Sequence, residues 1–371
     1  MSAAHKPIHA RIVLLGGDGI GPEVVAEAHA VLTAIAERFG HTFHYDEALI
    51  GGAAIDAGLP PLPDETLTLC RVADAVVLGA VGGPKWDSVT ATVRPEQGLL
   101  AIRRGLGLYA NLRPVRGRPS LDACSPFKPA HLADVDFVVV RELTGGIYFG
   151  EKALIMTSAG EQATDVCTYT TPEVERIVRT AAKIARTRRG KLTSVDKANV
   201  LETSRLWRRV VTRVMAEEFS DVALDHMLVD TCAMKLVQAP ASFDVVVTEN
   251  MFGDILTDEA AMLAGSIGLL PSASLGAPRD DGSRAGLYEP IHGSAPDIVG
   301  KKAANPIGTI LSVAMLLRYS LSLEREARMI EHAVDATLDA GVLTADLVQA
   351  PGVGVTTGEV TEAIISRLSG G

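Results

Sequence analysis

The sequence predicts an α/β protein of 371 residues, long enough for two domains. Three observations carry that reading. Short apolar runs recur along the chain, as at residues 135–140 and 243–247. Segments with helical spacing of apolar residues alternate with them. Carboxylates follow two of the runs, where open α/β sheets hold their ligands. The hydrophobic fraction of 47% permits large cores and argues against disorder.

Taken in order, the chain opens with a strand over residues 11–15 and runs into Gly16-Gly17-Asp18-Gly19-Ile20-Gly21-Pro22-Glu23. A helix follows to about residue 39, with Pro22 in its first turn. The glycines depart from a dinucleotide fingerprint: the third glycine of GxGxxG is missing and Pro22 stands in its place. A tight strand-to-helix turn is expected rather than a phosphate cradle. Strands are expected at 43–47 and 75–80. Residues 79–95 are rich in Gly and Pro, as in a mobile loop over a site. Residues 97–106 read as helix and 109–115 as extended chain. The β-branched run at 135–140 is apolar on both faces, as in a buried strand. Residues 150–171 are polar and Thr-rich, which suits an exposed two-stranded excursion. Thr171-Pro172-Glu173 opens a helix to about 189, with Thr171 as its cap. A strand at 192–195 and a helix at 204–218 come next. The run 226–229 ends in Asp230, and 243–247 leads into a helix with Asp254 and Asp258. Residues 265–290, rich in Gly, Pro and Ser, read as loop. Residues 303–318 and 323–340 are helical, and there is no fixed-period repeat.

A net charge of −10 argues against non-specific nucleic-acid binding. Cys70, Cys124, Cys167 and Cys232 are scattered with no CxxC pair, as for reduced thiols of a cytoplasmic protein. Residues 1–11 lack the apolar core of a secretory signal. No apolar run is long enough to span a bilayer, so no membrane partner is expected.

Asp254 and Asp258 lie one turn apart on one helix face. Adjacent carboxylates repel unless a positive charge sits between them, and Mg²⁺ or Mn²⁺ prefers such oxygen ligands. Asp230, in a similar place, favours a metal site over a solvated helix face. Arg103, Arg113 and Arg141 stand at strand or helix ends and suit a substrate with more than one carboxylate. For any one of them a surface salt bridge is the alternative. Lys197, flanked by Asp196 and Asn199, is a candidate base, and Tyr148, after Gly145-Gly146, a candidate acid. The polar loop from Tyr288 to Asp297 suits adenine and ribose. Asp297 would accept hydrogen bonds from a ribose hydroxyl and repel a 2′-phosphate.

Longer motifs carry a resemblance. They are Arg94-Pro-Glu-Gln-Gly-Leu-Leu, Tyr109-Ala-Asn-Leu-Arg-Pro, Arg141-Glu-Leu-Thr-Gly-Gly-Ile-Tyr-Phe-Gly and Asp196-Lys-Ala-Asn-Val, with Glu249-Asn-Met-Phe-Gly-Asp-Ile-Leu-Thr-Asp and Glu289-Pro-Ile-His-Gly-Ser-Ala-Pro-Asp-Ile. The chain resembles the β-decarboxylating dehydrogenases of 3-hydroxy acids, the isocitrate/isopropylmalate dehydrogenase family, and most closely the isopropylmalate branch. The matches run from Gly16 to Asn305; residues after Arg318 carry no motif.

The resemblance implies a two-domain, non-Rossmann fold with a mixed sheet flanked by helices. Residues 1–108 and 265–371 would form a discontinuous cofactor-binding domain. Residues 109–264 would bind substrate and metal and form a homodimer, with 150–171 as an interlocking arm. The substrate would meet Glu96, Leu99, Leu100, Arg103, Arg113, Arg141, Val200 and Asp230. NAD would be held by Gly82, Gly83, Glu289, His292, Gly293, Ser294, Ala295, Pro296, Asp297, Ile298 and Asn305. Asp230, Asp254 and Asp258 would hold Mg²⁺ or Mn²⁺, and Tyr148 and Lys197 would handle protons. Lys197 and Asp230 would cross from the partner subunit to a shared site. The expected reaction is oxidative decarboxylation of a branched alkyl malate, with isocitrate, homoisocitrate, tartrate or D-malate as alternatives. A metal-dependent phosphohydrolase would leave the arginines and the Asp297 loop unused. An inactive regulatory subunit would be expected to lose proton-transfer or metal residues, all of which are present.

Overall fold

In the computed structural model, which describes residues 7–88, 91–348 and 354–369, the chain divides into two units. Residues 1–6, part of the stretch searched for a signal, and residues 89 and 90 of the Gly- and Pro-rich loop lie outside the described residues. The first unit comprises Met1–Leu108, Ser120–Pro126 and Ala264–Gly371. The second comprises Tyr109–Pro119 and Phe127–Leu263.

The first unit begins with β1 (His9–Gly17), whose middle is buried on both faces. It turns into α1 (Gly21–Phe39), which starts with Pro22 in its first turn and ends at Gly40 in the left-handed region. Val24, Ala28, Val31, Leu32 and Ile35 recur at three- and four-residue spacing and form its buried stripe. β2 (Thr42–Glu47) and β3 (Ala75–Ala80) pair parallel to β1 on either side. Between them lie α2 (Gly52–Asp56) and α3 (Asp64–Val72), and α4 (Glu96–Gly105) follows.

Residues 265–290 correct the sequence reading. They contain two buried strands, β11 (Pro271–Pro278) and β12 (Arg284–Pro290), paired antiparallel, with β12 parallel to β3. The order in this unit is β2-β1-β3-β12-β11. α10 (Ile307–Tyr319) is buried from Ile307 to Leu317 and packs on both new strands. That packing explains their small side chains. Ser272 donates its backbone N–H to Ser312 Oγ (3.2 Å) and its hydroxyl to the Glu289 carbonyl (2.9 Å), so a polar strand is satisfied inside a core. α11 (Glu324–Asp339) and α12 (Thr357–Ser369) complete the unit.

In the second unit β4 (Ala110–Arg116) pairs antiparallel with β5 (Asp136–Glu142). The short α5 (Pro129–Leu132) lies between them in sequence. β8 (Lys191–Asp196), β9 (Ala223–Leu228) and β10 (Val245–Thr248) extend the sheet in parallel, in the order β4-β5-β10-β8-β9. β6 (Lys152–Thr157) and β7 (Gly160–Asp165) form the expected exposed hairpin, apart from this sheet. α6 (Thr171–Arg186) begins with a capping box on Thr170 and Glu173, so the cap is one residue earlier than the sequence suggested. α7 (Glu202–Glu218), α8 (Val229–Gln238) and α9 (Asn250–Ala264) are the remaining helices. Phe137 and Phe243 meet at 5.9 Å in the core, with Val139, Val246, Leu236 and Leu256 around them.

Candidate active site

In the second unit, β10 delivers the chain into α9, and α9 presents Asp254 and Asp258 one turn apart. Two arginines from the adjoining strands meet them. Arg141, from β5, is 3% exposed; it donates through Nε to Asn250 Oδ1 (3.0 Å) and through Nη1 to Asp254 Oδ1. Arg113, from β4, is 8% exposed and donates to Asn111 Oδ1 (2.8 Å) and to Thr257 Oγ1 (2.5 Å). Its guanidinium also lies 3.5 Å from Asp254 Oδ1 and 3.7 Å from Asp258 Oδ1. Gly253 makes this approach possible, because a Cβ there would fall 2.7 Å from Arg141 Cγ.

Tyr148 donates its hydroxyl to Asp254 Oδ2 (2.9 Å), and the Arg141 guanidinium stands 5.7 Å from its ring centroid. Burial first, then the charge of Asp254, pushes the phenol above its ordinary range, against the opposing pull of Arg141. Burial also raises the Asp258 carboxyl; Arg113 lowers it, and Asp254 raises it again.

Lys197 and Asp230 form a separate pair. Lys197 follows β8, Asp230 sits in the first turn of α8, and Nζ lies 2.5 Å from Oδ1. The hydrogen bond from Lys197 holds the Asp230 carboxyl below its usual value. The three aspartates therefore do not converge within one chain, and no group of three candidate metal ligands occurs among the described residues. Val200 is exposed close after Lys197.

In the first unit, Arg103 on α4 donates to Glu289 Oε1 on β12 (2.7 Å), both largely buried. The arginine expected on substrate and the glutamate expected on cofactor thus pair with each other. Leu99 packs against the core of this unit, Leu100 is half-buried, and Glu96 is exposed. The loop after β12 carries His292 to Asn305. Ser294 and Asn305 are buried, Gly293, Pro296 and Asp297 exposed. Ala295 and Ile298 pack on Ile20, Val24 and Ala304. Asn305 donates to Asp346 Oδ2 (3.1 Å) and accepts from the Ile307 N–H (3.0 Å). His292 Nδ1 lies 2.9 Å from the Gly293 carbonyl, and burial lowers the ring's proton affinity. Its buried Nε2 has no protein partner. Gly82 is buried with φ +106, and Gly83 follows it.

Comparison with known proteins identifies this arrangement. The model of the isocitrate/isopropylmalate dehydrogenase family matches residues 11–364. The chain belongs to that family. Among its curated members, a 3-isopropylmalate dehydrogenase of Anaeromyxobacter dehalogenans is 58% identical over 363 residues, covering 98% of this chain and 100% of its own. Its counterpart in Bacillus subtilis is 56% identical, covering 96% of this chain and 98% of its own. In structure, the isocitrate dehydrogenase of Methylococcus capsulatus superposes with a TM-score of 0.84 at 36% identity, over 97% of this chain and 99% of that one. The α/β fold with helix-flanked mixed sheets is thus the family's.

Sequence reasoning singled out the charged residues of the site and missed its supports. Asn250 and Thr257 hold the two arginines, and both stand in the motif that carries Asp254 and Asp258. Their spacing from Asp254, four residues before and three after, places them on the aspartate's helix face, a signal that was available. No helix among the described residues is long and apolar enough to cross a membrane.

Proposed function

We propose that the protein oxidises 3-isopropylmalate with NAD⁺ and releases 4-methyl-2-oxopentanoate and CO₂, a step of leucine biosynthesis. The observation that carries this reading is the Asp254–Asp258 pair flanked by buried Arg113 and Arg141 and met by the Tyr148 hydroxyl.

The donor set fits Mg²⁺ or Mn²⁺. Asp254 and Asp258 offer only oxygen, and crowding of negative charge already raises the Asp258 carboxyl. Asp230 is the third ligand, supplied from the partner subunit of a homodimer. When bound, the cation supplies Lewis-acid stabilisation of the charge that develops on the C2 oxygen. Arg113 and Arg141 bind the malate carboxylates, and Arg103 is the third arginine given to them. Lys197 accepts the C2 hydroxyl proton as hydride passes from C2 to NAD⁺. The C3 carboxylate then leaves as CO₂, and its bonding pair forms the enolate. Tyr148 holds the proton that returns to C3.

Glu96, Leu99, Leu100 and Val200 receive the C3 substituent. Burying an isopropyl group there gains about 2 kcal/mol. A carboxylate in its place would lose hydration without a partner and face Glu96. The cofactor loop fits NAD: His292 Nε2 is a buried acceptor awaiting a donor, and exposed Asp297 suits a ribose hydroxyl and disfavours a 2′-phosphate. Gly82, Gly83, Glu289, Gly293, Ser294, Ala295, Pro296, Ile298 and Asn305 complete the proposed cofactor set. The homodimer accounts for exposed Leu154, Ile155 and Met156 on β6, and for Met234, Val237, Ile255 and Met262 on α8 and α9. The cytoplasm is the proposed compartment, in keeping with four free cysteines.

The test is NAD(P)H formation from 3-isopropylmalate, isocitrate, homoisocitrate, tartrate and D-malate, with and without divalent cation. The expected outcome is NADH from 3-isopropylmalate, dependent on Mg²⁺ or Mn²⁺, with higher kcat/KM than any other acid and than NADP⁺ supports. Full activity after exhaustive chelation, equal efficiency with isocitrate, or a preference for NADP⁺ would overturn the corresponding assignment.

A further inference from the structure

We infer that the turn Gly17–Ile20 positions the dinucleotide site, with Asp18 as its positioning residue; the inference rests on the NAD-dependent reading above. This glycine-rich turn lacks the dinucleotide fingerprint, and its chemistry is different. It offers a buried carboxylate facing inward.

Asp18 is 4% exposed. Its Oδ2 accepts the backbone N–H of Gly52 (2.8 Å) and of Gly82 (2.7 Å), and its Oδ1 accepts that of Ala53 (2.7 Å). Its own N–H donates to the Ala80 carbonyl (2.8 Å). A buried carboxylate is tolerated where several N–H donors satisfy its oxygens, and here they come from two segments distant in sequence. One of those segments, at Gly82, opens the glycine pair assigned to the cofactor. Gly82 has φ +106, a region open to glycine, so its amide is free to turn toward the carboxylate.

The other side of the same turn holds the second cofactor segment. The Ile20 N–H donates to the Ser294 carbonyl (2.9 Å). Gly19 lies so close beneath it that a Cβ would fall 2.0 Å from that oxygen. The two segments also converge on each other, since a Cβ built on Gly83 would lie 3.8 Å from Ser294 Oγ. Four residues therefore set the positions of Gly82, Gly83 and Ser294 together, through a carboxylate on one side and a missing side chain on the other.

Asp18→Asn retains size and leaves one oxygen for three donors. Loss of charge-assisted hydrogen bonds to the Gly82 segment should weaken NADH binding about tenfold, measured by calorimetry without malate present. KM for NAD⁺ should rise by a similar factor, while KM for 3-isopropylmalate and kcat at saturating NAD⁺ stay within about twofold. Equal rises in both KM values, or NADH affinity within about twofold of wild type, would overturn the inference. Where Asp18→Asn yields no folded protein by thermal melting, Gly19→Ala, which presses on Ser294 alone, is read by the same criteria. A wild-type protein that binds no NADH would overturn the cofactor reading and the inference with it. A wild type that binds NADH beside a folded variant that binds it equally overturns the role of the turn alone.

Discussion

Glu249 closes β10 from within the protein, beside Cys167, whose Sγ lies 3.9 Å from Oε2. Burial pushes its carboxyl up to about 7, and the charge of Glu142 adds to the effect, while the Phe252 N–H and the Cys167 thiol oppose it. The folded protein therefore holds a proton that the unfolded chain releases near the ordinary carboxylate value. Stability from this group is fully present below about 4.5 and is lost as pH rises through about 7. Glu249→Gln removes the charge and retains the shape. It should leave stability unchanged near pH 4.5 and raise it by up to about 3 kcal/mol at pH 8. Thermal melts across that range check this, and a pH-independent difference would contradict it. The neighbouring Asp254 stays a carboxylate for another reason: it accepts from Arg141 and Tyr148.

At the scale of an element, α9 binds the site together because one of its faces carries Asn250, Gly253, Asp254, Thr257 and Asp258. Alanine is the better helix former at position 253 by about 1 kcal/mol. Even so, Gly253→Ala would drive a Cβ into the Arg141 side chain and shift the guanidinium from Asp254. KM for the malate should rise about tenfold, as expected when a bidentate arginine is displaced, with NAD⁺ binding unchanged. Steady-state kinetics with each substrate varied in turn would show this. An unchanged malate KM would mean that the arginine's position does not matter to binding. The hairpin β6–β7 was legible as an exposed element because its polar, Thr-rich stretch lacks the apolar runs of the core strands. β11 was not legible, since Pro271-Ser-Ala-Ser-Leu-Gly-Ala-Pro has the composition of a loop and owes its burial to α10.

For the whole molecule, the separation of Lys197–Asp230 from Tyr148–Asp254 is what a site shared between two subunits requires. In the proposed homodimer, Tyr148→Phe impairs both sites, and so does Lys197→Ala. A mixed dimer has one site with both residues intact and one with neither. Random pairing makes about half the dimers mixed, so about a quarter of all sites are whole. Co-expression of the two variants should restore activity near that fraction of wild type. Purified mixed dimers no more active than either variant alone would place both residues in one chain's site.

The sequence alone determined which residues bear the chemistry and the type of most elements. Apolar runs and helical spacing are local, so β1, α1, β3 and β5 could be placed from neighbours in the chain. Asp254 and Asp258 share a face for the same local reason. Only the tertiary structure decided what these residues touch. Arg103 meets Glu289 across 186 positions and Arg113 meets Thr257 across 144, separations that no periodicity encodes. Tertiary packing likewise turned a serine-rich stretch into a buried strand, by bringing Ser312 to Ser272. Asp18 shows the difference most plainly. Its turn was readable from the glycines around it, but its three backbone donors come from Gly52, Ala53 and Gly82. A buried carboxylate takes whichever N–H groups the fold brings within reach, and only the folded chain assembles them.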